Sequence, residues 1–527
     1  MFNTEDSTRH VASRLLDYFG RRTPWQRRLW NVGSILALNE TIEAAELVRR
    51  GHLTTGSFRD LANSLKKKLG RDPGVGGPEL RQRFQQTLDD VEPDNRALSE
   101  LTYLADKTRS GYLERWHREV QQNHEHGAEY ISRILGAHLL DAGFSPEHLH
   151  RWVSALQHDA DRTLALPDLF SDAADLLDRP SFHYEVLVPM IAIPKRSELP
   201  AEWRDASAVS KWLEEHAGDP AGIRQNGGFV FAIEERDPWA AVERTGDLMR
   251  SFAARLAVGL PGDLVFTTQS DAWIAGREKP YGFSSPRRQV DIHSLSRQDA
   301  LFAVDAPGLE QKMSSALELL AAFETGTPGT AVASGWAAVE TLLSRSGTAN
   351  VRAADDLAVL VACSFPRAEL TTLSFRYAES HDDGITEQLE ASGSNRDRAA
   401  AFADAVKDEI VQPLPGSSDA AALARMTEVL SAPNQTLDRI RGYASEAFRR
   451  LYRQRNLVLH AGDIESIALR PVLRTVPPLV GAGIDRIVHA ALATPPQPAA
   501  DLVARAAAEL ALVGTPSGVH IVDLLGA

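Results

Sequence analysis

From about residue 300 onward, apolar residues recur at helical spacing in seven stretches: 309–325, 328–346, 354–378, 396–411, 418–430, 435–460 and 479–493. The loops that divide them, such as Gly326-Thr-Pro-Gly329, Gly393-Ser-Asn395 and Pro413-Leu-Pro-Gly-Ser417, are short. Short connections force amphipathic helices to run back alongside one another, so an antiparallel bundle is expected over 300–495. Residues 496–527 read as a C-terminal helix and tail, opened by Pro495-Pro-Gln-Pro498, with Val519-His-Ile-Val522 as a short terminal strand.

Two further regions precede the bundle. Residues 1–180 read as helix almost throughout, with Val11-Leu15-Leu16-Phe19 and Ile131-Ile134-Leu135-His138-Leu139 at helical spacing. Ser145-Pro146-Glu147 places a cap and then a first-turn proline, and Thr55-x-Ser57 precedes another helix. Residues 181–293 change character. His183 to Ile193 is β-rich, and Pro189 within it predicts an edge strand, because proline cannot donate to a ladder. Phe229 to Ile233 reads as a second strand, and Asp237-Pro238 caps a helix carrying Val242, Met249, Phe252 and Leu256 on one face. Leu264 to Thr268 and Ala272 to Ala275 read as a closing hairpin, which makes this a small α+β domain. Gly276 to His293 reads as a loop or linker. The expected fold class is therefore mostly α: a helical N-terminal region, a small α+β middle domain and a C-terminal bundle.

Composition narrows the function classes. A chain of 527 residues exceeds one ordinary core, so two to four domains are expected. The sequence shows no apolar run of membrane-spanning length and no signal peptide, and its single cysteine, Cys363, fits a reducing cytoplasm. The net charge of −14 argues against a surface coated in nucleic acid but leaves room for a small basic cleft. Basic residues do cluster, at Arg21, Arg22, Arg27 and Arg28, at Lys66 to Lys68 with Arg71, and at Arg449, Arg450, Arg453 and Arg455.

The last cluster leads into Leu451-Tyr-Arg-Gln-Arg-Asn-Leu-Val-Leu-His-Ala-Gly462. Arginine is permanently charged and forks onto phosphate, while histidine titrates near neutral pH. Together at an RNA backbone they need no metal: histidine moves protons at the 2′-hydroxyl or the leaving oxygen, and arginine stabilises the charge on phosphorus. Spacing alone does not single the pair out. Random placement of 48 arginines and 16 histidines gives roughly 1.5 such pairs, and the chain has four, the others being Arg133/His138, Arg288/His293 and Arg376/His381. Only Arg455/His460 has an asparagine directly after the arginine, a basic and aromatic run before it, and a closing Ala-Gly. Five residues turn an ideal helix by roughly 140°, so the two can converge only at a distorted helix end or in a groove completed by a neighbour.

Other chemistries are weaker. His117, His124, Glu125 and His126, with His148 and His150, lack an HExxH pattern or a cysteine pair, so a solvated helical face is preferred to a metal site. Gly74-Val-Gly-Gly77 lacks the preceding strand and following Lys-Ser/Thr of a phosphate loop, and Lys66 to Lys68 read first as a solvated face. No cofactor or metal is expected.

Arg455-Asn-Leu-Val-Leu-His-Ala-Gly462, after Phe448 to Gln454, resembles the signature of the HEPN superfamily (higher eukaryotes and prokaryotes nucleotide-binding domain), in its Apea-like branch. Trp336-Ala-Ala-Val-Glu-Thr-Leu-Leu343 is similar to the branch's upstream Ala-x-Glu-x-Leu-Leu helix. The resemblance covers roughly 305–495. It implies a helical bundle that pairs two-fold, and in many members a metal-independent endoribonuclease of antiphage defence or toxin systems. By position, Arg455 would contact phosphate, His460 would act as acid/base, Asn456 would orient the groups, and Glu340 would reach the site. Arg449, Arg450, Tyr452 and Arg453 would bind RNA. The expected partners are RNA, a second copy joined through the bundle, and a protein or phage-derived trigger at the N-terminal region. The competing expectation is a non-catalytic dimerisation scaffold on the same fold, since relatives that keep only the bundle exist.

Overall fold

The structure is a computed structural model describing residues 4–122, 126–159, 163–194, 199–217, 222–260, 265–283, 288–303, 310–345 and 351–526. Among the described residues it holds 21 α-helices and one small antiparallel sheet, so the mostly-α fold class is correct.

The N-terminal region builds two adjoining helical cores. One is formed by helices Thr4–Phe19, Tyr112–Gln122, Ala128–Asp141, Pro146–His158 and Leu166–Asp178. The other is formed by Ser34–Arg49, Thr55–Leu69, Pro78–Asp90 and Arg96–Arg109. The expected cap is present at Ser145, whose Oγ accepts from the His148 N–H at 3.2 Å. The next start is shifted by one residue: Thr54, not Thr55, caps the helix by accepting from Ser57 N. The glycine-rich loop after Arg71 is not a surface feature. Asp72 is fully buried there and accepts from Gly74 N and Trp116 Nε1, each at 2.9 Å, from Tyr112 Oη at 2.5 Å, and from Ser34 Oγ.

The middle domain is a sheet of order β2-β3-β1-β5-β6, with β4 pairing β1. Its strands are β1 (Phe182–Ala192), β2 (Trp203–Arg204), β3 (Gly228–Glu235), β4 (Thr267–Thr268), β5 (Asp271–Ile274) and β6 (Tyr281–Gly282). Alternation along β1 sends Val186, Val188 and Met190 to a face covered by helix Pro238–Gly259. Leu187 points to the other face, against Val209, Trp212 and Leu213 of helix Ala206–His216. Two expectations fail here. β1 is a central strand despite Pro189, which pairs with Gly228 on one side. On its other side the partner changes from β5, at Val186 and Leu187, to β4, at Met190 and Ala192. The missing N–H therefore falls at a break in the ladder. Nor do β4 and β5 form a hairpin with each other: both pair with β1, and β5 continues to β6.

The bundle is organised around the 29-residue helix Arg352–Ser380, which packs on Asn395–Lys407, Ser417–Ser431, Pro433–Asn456, Leu469–Leu492 and Ala499–Leu512. This helix is long and apolar enough to cross a membrane by length and composition, yet 72% of its apolar window is buried among these neighbours. Helices Gln311–Thr325 and Pro328–Leu343 complete the wall. Helix Leu469–Leu492 starts ten residues earlier than the apolar pattern suggests and runs through Pro477 and Pro478. A short helix, Gly384–Glu390, went unanticipated, and the tail makes a 3₁₀ turn at Ile521–Asp523 where a strand was expected.

The bundle core also outgrows 300–495. It takes in Leu502, Val503, Ala506 and Leu510, the tail residues Ile521, Val522, Leu524 and Leu525, and Trp30 from the N-terminal region. Val290, Ile292 and Leu295 pack against it too, and Arg288 donates to Phe323 O at 3.2 Å and Gly326 O at 2.8 Å, so the stretch read as a linker is partly seated on the bundle.

Buried ion pairs join the first and last regions. The fully buried Glu369 accepts from Arg27 Nε at 2.7 Å and from Arg425. Arg27 Nη1 reaches Asp419 at 2.7 Å, and Glu129, paired within its own region with Arg14 and Arg133, meets Arg425 Nη1 at 3.8 Å. Removing one partner leaves a charge in the interior, so Glu369→Gln is expected to cost roughly 3 kcal/mol of unfolding free energy in a urea titration. A loss below about 0.5 kcal/mol would mean that water reaches this junction.

Candidate functional site

The motif helix Pro433–Asn456 opens with a first-turn proline and buries Leu437, Ile440, Ala444, Ala447, Phe448 and Leu451 on one stripe. It then leaves α geometry. Leu457–Ala461 form a π turn, and the left-handed Gly462 (φ 64°) ends it by donating its N–H to Leu457 O. Hydrogen bonds closed at i+5 rather than i+4 bring residues five apart nearer to the same face, which narrows the angle between positions 455 and 460. Arg455, in the last turn of the α-helix, and His460, in the π turn, lie at this distorted helix end.

Just before this turn, in the last turn of the α-helix, the Arg455 side chain is half-buried. Its Nη2 lies 3.7 Å from Glu340 Oε2 on helix Pro328–Leu343, and its Nη1 donates to Asn456 Oδ1 at 3.0 Å. Arg455 Nε has no hydrogen-bond partner among the described residues. His460 is exposed and makes no hydrogen bond or ion pair with them. Tyr452 is half-buried, its ring centroid 4.9 Å from that of the fully buried Trp336. The two stretches noted in the sequence, Trp336 to Leu343 and Tyr452 to His460, thus lie side by side, with Glu340 and Arg455 at their contact.

The expected RNA-binding run is arranged differently. Arg450 and Arg453 are buried and share one carboxylate, Glu40 of helix Ser34–Arg49: Arg450 Nε donates to Oε2 at 2.8 Å and Arg453 Nη2 to Oε1 at 2.9 Å. Arg449 is held by Asp355 through two hydrogen bonds of 3.1 and 2.8 Å, with Asp60 at 3.9 Å. In this arrangement Arg450 and Arg453 face protein, not solvent, and the helix offers no open row of arginines. A charged run reads as solvent-facing because acids supplied by residues 400 positions away are invisible to local sequence.

The N-terminal region also surrounds the turn itself. Leu457 is buried within the core formed by Leu36, Ala37, Leu61 and their neighbours. Glu43 accepts from Ser466 Oγ at 2.9 Å and from Ile467 N at 3.2 Å, and Gln454 donates to the same hydroxyl at 2.9 Å. Burial, the largest influence, holds the Glu43 carboxyl above its ordinary value. An acidic cleft of about 410 Å³, lined by Glu43, Leu47, Arg50, His52, Ala461, Asp463 and Glu465, adjoins the end of the turn. None of these N-terminal residues carries a local motif.

The other candidates have structural partners. His138 packs against Tyr112 with ring centroids 4.6 Å apart and planes tilted by 30°, and burial pushes its imidazole down to about 4. Arg376 pairs with Glu379 at 2.7 Å. His117 Nδ1 lies 2.9 Å from Pro167 O and His126 Nε2 3.2 Å from Glu119, while His124 and Glu125 fall outside the described residues. Among the described residues no group of three His, Cys, Asp or Glu side chains could hold a metal. Lys66 pairs with Asp89, and Lys68 donates to Val32 O at 2.8 Å and approaches Glu446 of the motif helix at 4.0 Å. No family model, curated protein or solved structure matches the chain.

Burial alone would raise the Glu40 carboxyl, but Arg450 and Arg453 outweigh it and hold it at about 2, against an ordinary value of 4.5. A carboxylate depressed in the folded state contributes its full stabilisation above the unfolded value and loses it as pH falls through the folded one. Glu40→Gln is therefore expected to flatten the loss of stability between pH 4.5 and 2, followed by circular dichroism during denaturant titrations. An unchanged profile would locate the acid sensitivity elsewhere. At the turn's end, Gly462→Ala is expected to cost about 1 kcal/mol, because Gly462 has positive φ.

Proposed function

We propose that the chain is a metal-independent endoribonuclease of HEPN type, cutting RNA at the π turn of the C-terminal bundle. The observation that carries this reading is the meeting of Glu340 with Arg455, 3.7 Å apart, at a distorted helix end whose exposed His460 side chain has no partner among the described residues. In the proposed reaction His460 takes the proton of a ribose 2′-hydroxyl, and the resulting oxygen attacks the adjacent phosphorus. The P–O5′ bond breaks, leaving a 2′,3′-cyclic phosphate, and the departing 5′-oxygen takes up the proton that His460 removed. Arg455 stabilises the charge on the phosphoryl oxygens, with Glu340 and Asn456 aiming its guanidinium. Glu340 lies far enough from Arg455 for a phosphate to compete for the same N–H groups.

The resemblance also implies a two-fold dimer. Leu459, Ile464 and Ile467, 53%, 60% and 40% exposed around the turn, would supply an apolar contact for it. In the proposed setting, a bacterial defence or toxin effector, a trigger would act through the N-terminal region. The second reading, a non-catalytic dimerisation or RNA-binding scaffold, draws support from the full pairing of Arg449, Arg450 and Arg453 with acids.

The test is cleavage of total RNA in the presence of EDTA by the full chain, beside Arg455→Ala and His460→Ala. Each substitution is expected to slow cleavage at least roughly 100-fold. Cleavage that survives both removes the site assignment; RNA binding and self-association without turnover favour the scaffold.

A further inference from the structure

One N-terminal helix grips the motif on both sides of its reactive residues. Upstream, Glu40 of Ser34–Arg49 bridges Arg450 and Arg453. On the turn, Leu457 enters the core to which this helix contributes Leu36, Ala37 and Leu47. Downstream, Glu43 holds Ser466 Oγ and Ile467 N, and Gln454 ties back to the same serine. Arg455, Asn456 and His460 lie between these anchors.

The geometry gives the anchors leverage. Positions 450 and 453 are three apart and share a face, while 455 lies roughly 200° around the helix from 453. Fastening that face to Glu40 fixes the rotation of the last two turns, and so the direction in which Arg455 leaves the opposite side. A π turn is a local departure that persists when its surroundings over-determine it. Catalytic side chains must be held to about 0.5 Å and 10–20°, so these anchors act at the tolerance that matters.

We propose that Glu40 is a positioning residue for the candidate site, and that the N-terminal region is a built-in part of that site rather than a detachable sensor. Glu40 touches no substrate; it acts through Arg450 and Arg453 on the turn that bears His460. This deepens the nuclease reading and rests on it for its catalytic consequence, while the mechanical link from Glu40 to the turn is measurable without it. A restraining role for the N-terminal region predicts the opposite sign: loosening the contact would raise activity.

The experiment compares full-length Glu40→Gln with wild type and with Glu369→Gln, a matched control. Glu369 is also a buried carboxylate bridging two arginines between the N-terminal region and the bundle, through Arg27 and Arg425. In hydrogen–deuterium exchange read by mass spectrometry, Glu40→Gln is expected to accelerate exchange over 454–467 and to leave β3 unchanged. Glu369→Gln is expected to leave 454–467 as in wild type. In the RNA assay, Glu40→Gln is expected to lower kcat about 10-fold or more with KM within about twofold, the mark of misplaced groups rather than lost binding. If Glu40→Gln does not yield folded protein, Glu43→Gln is the milder variant, with faster exchange expected at 462–467. Unchanged exchange at the turn, equal acceleration in Glu369→Gln, or an undiminished or raised kcat in Glu40→Gln each overturns the proposal. Selective acceleration at the turn in a chain that cuts no RNA would sink the nuclease reading and leave the coupling of Glu40 to the turn standing.

Discussion

A carboxylate taken out of water between two guanidiniums recurs where the first and last regions of this chain meet. Glu40 serves Arg450 and Arg453, and Glu369 serves Arg27 and Arg425. Removing such charges from solvent is costly, and the cost is offset only when geometry and hydrogen bonding are good on both sides. The result is directional: apolar surfaces can slide past one another, but a carboxylate with two committed arginines has one register. The junction therefore gives the motif helix a defined rotation as well as a place to pack.

That arrangement separates the arginines of one helix by role. Arg449, Arg450 and Arg453 have close carboxylate partners, with contacts at 2.8 to 2.9 Å. Arg455 alone among them meets its acid at 3.7 Å and is followed by an exposed histidine. The candidate pair stands out because its neighbours along the helix are engaged and Arg455 is only loosely so.

Much of the architecture was legible because 3.6-residue periodicity is a local property. Val11, Leu15 and Phe19, or Leu437, Ile440 and Leu451, declare their helices without reference to anything distant, and each is buried. Local signals misled where tertiary context overrides them. Pro189 reads as an edge residue, yet it lies in a central strand where one neighbour gives way to another. The helix expected over 479–493 begins at Leu469 instead, with Pro477 and Pro478 buried inside it. At the candidate site, Arg455, His460 and the stop at Gly462 were visible as a pattern, and so was Glu340. The fate of Arg450 and Arg453 was not, because Glu40 looks like any acid on an amphipathic helix until the chain folds back over 400 residues.

The two large units also trade apolar side chains. Trp30, from near the start of the chain, is wholly enclosed in the core of the C-terminal bundle, and Leu457, from the bundle's motif turn, completes a core of the N-terminal helices. An expression fragment trimmed at the sequence-drawn border near residue 300 would lack an indole in one half and a leucine in the other. Each half would keep an unfilled apolar gap, so a cut at that border severs two cores rather than a linker.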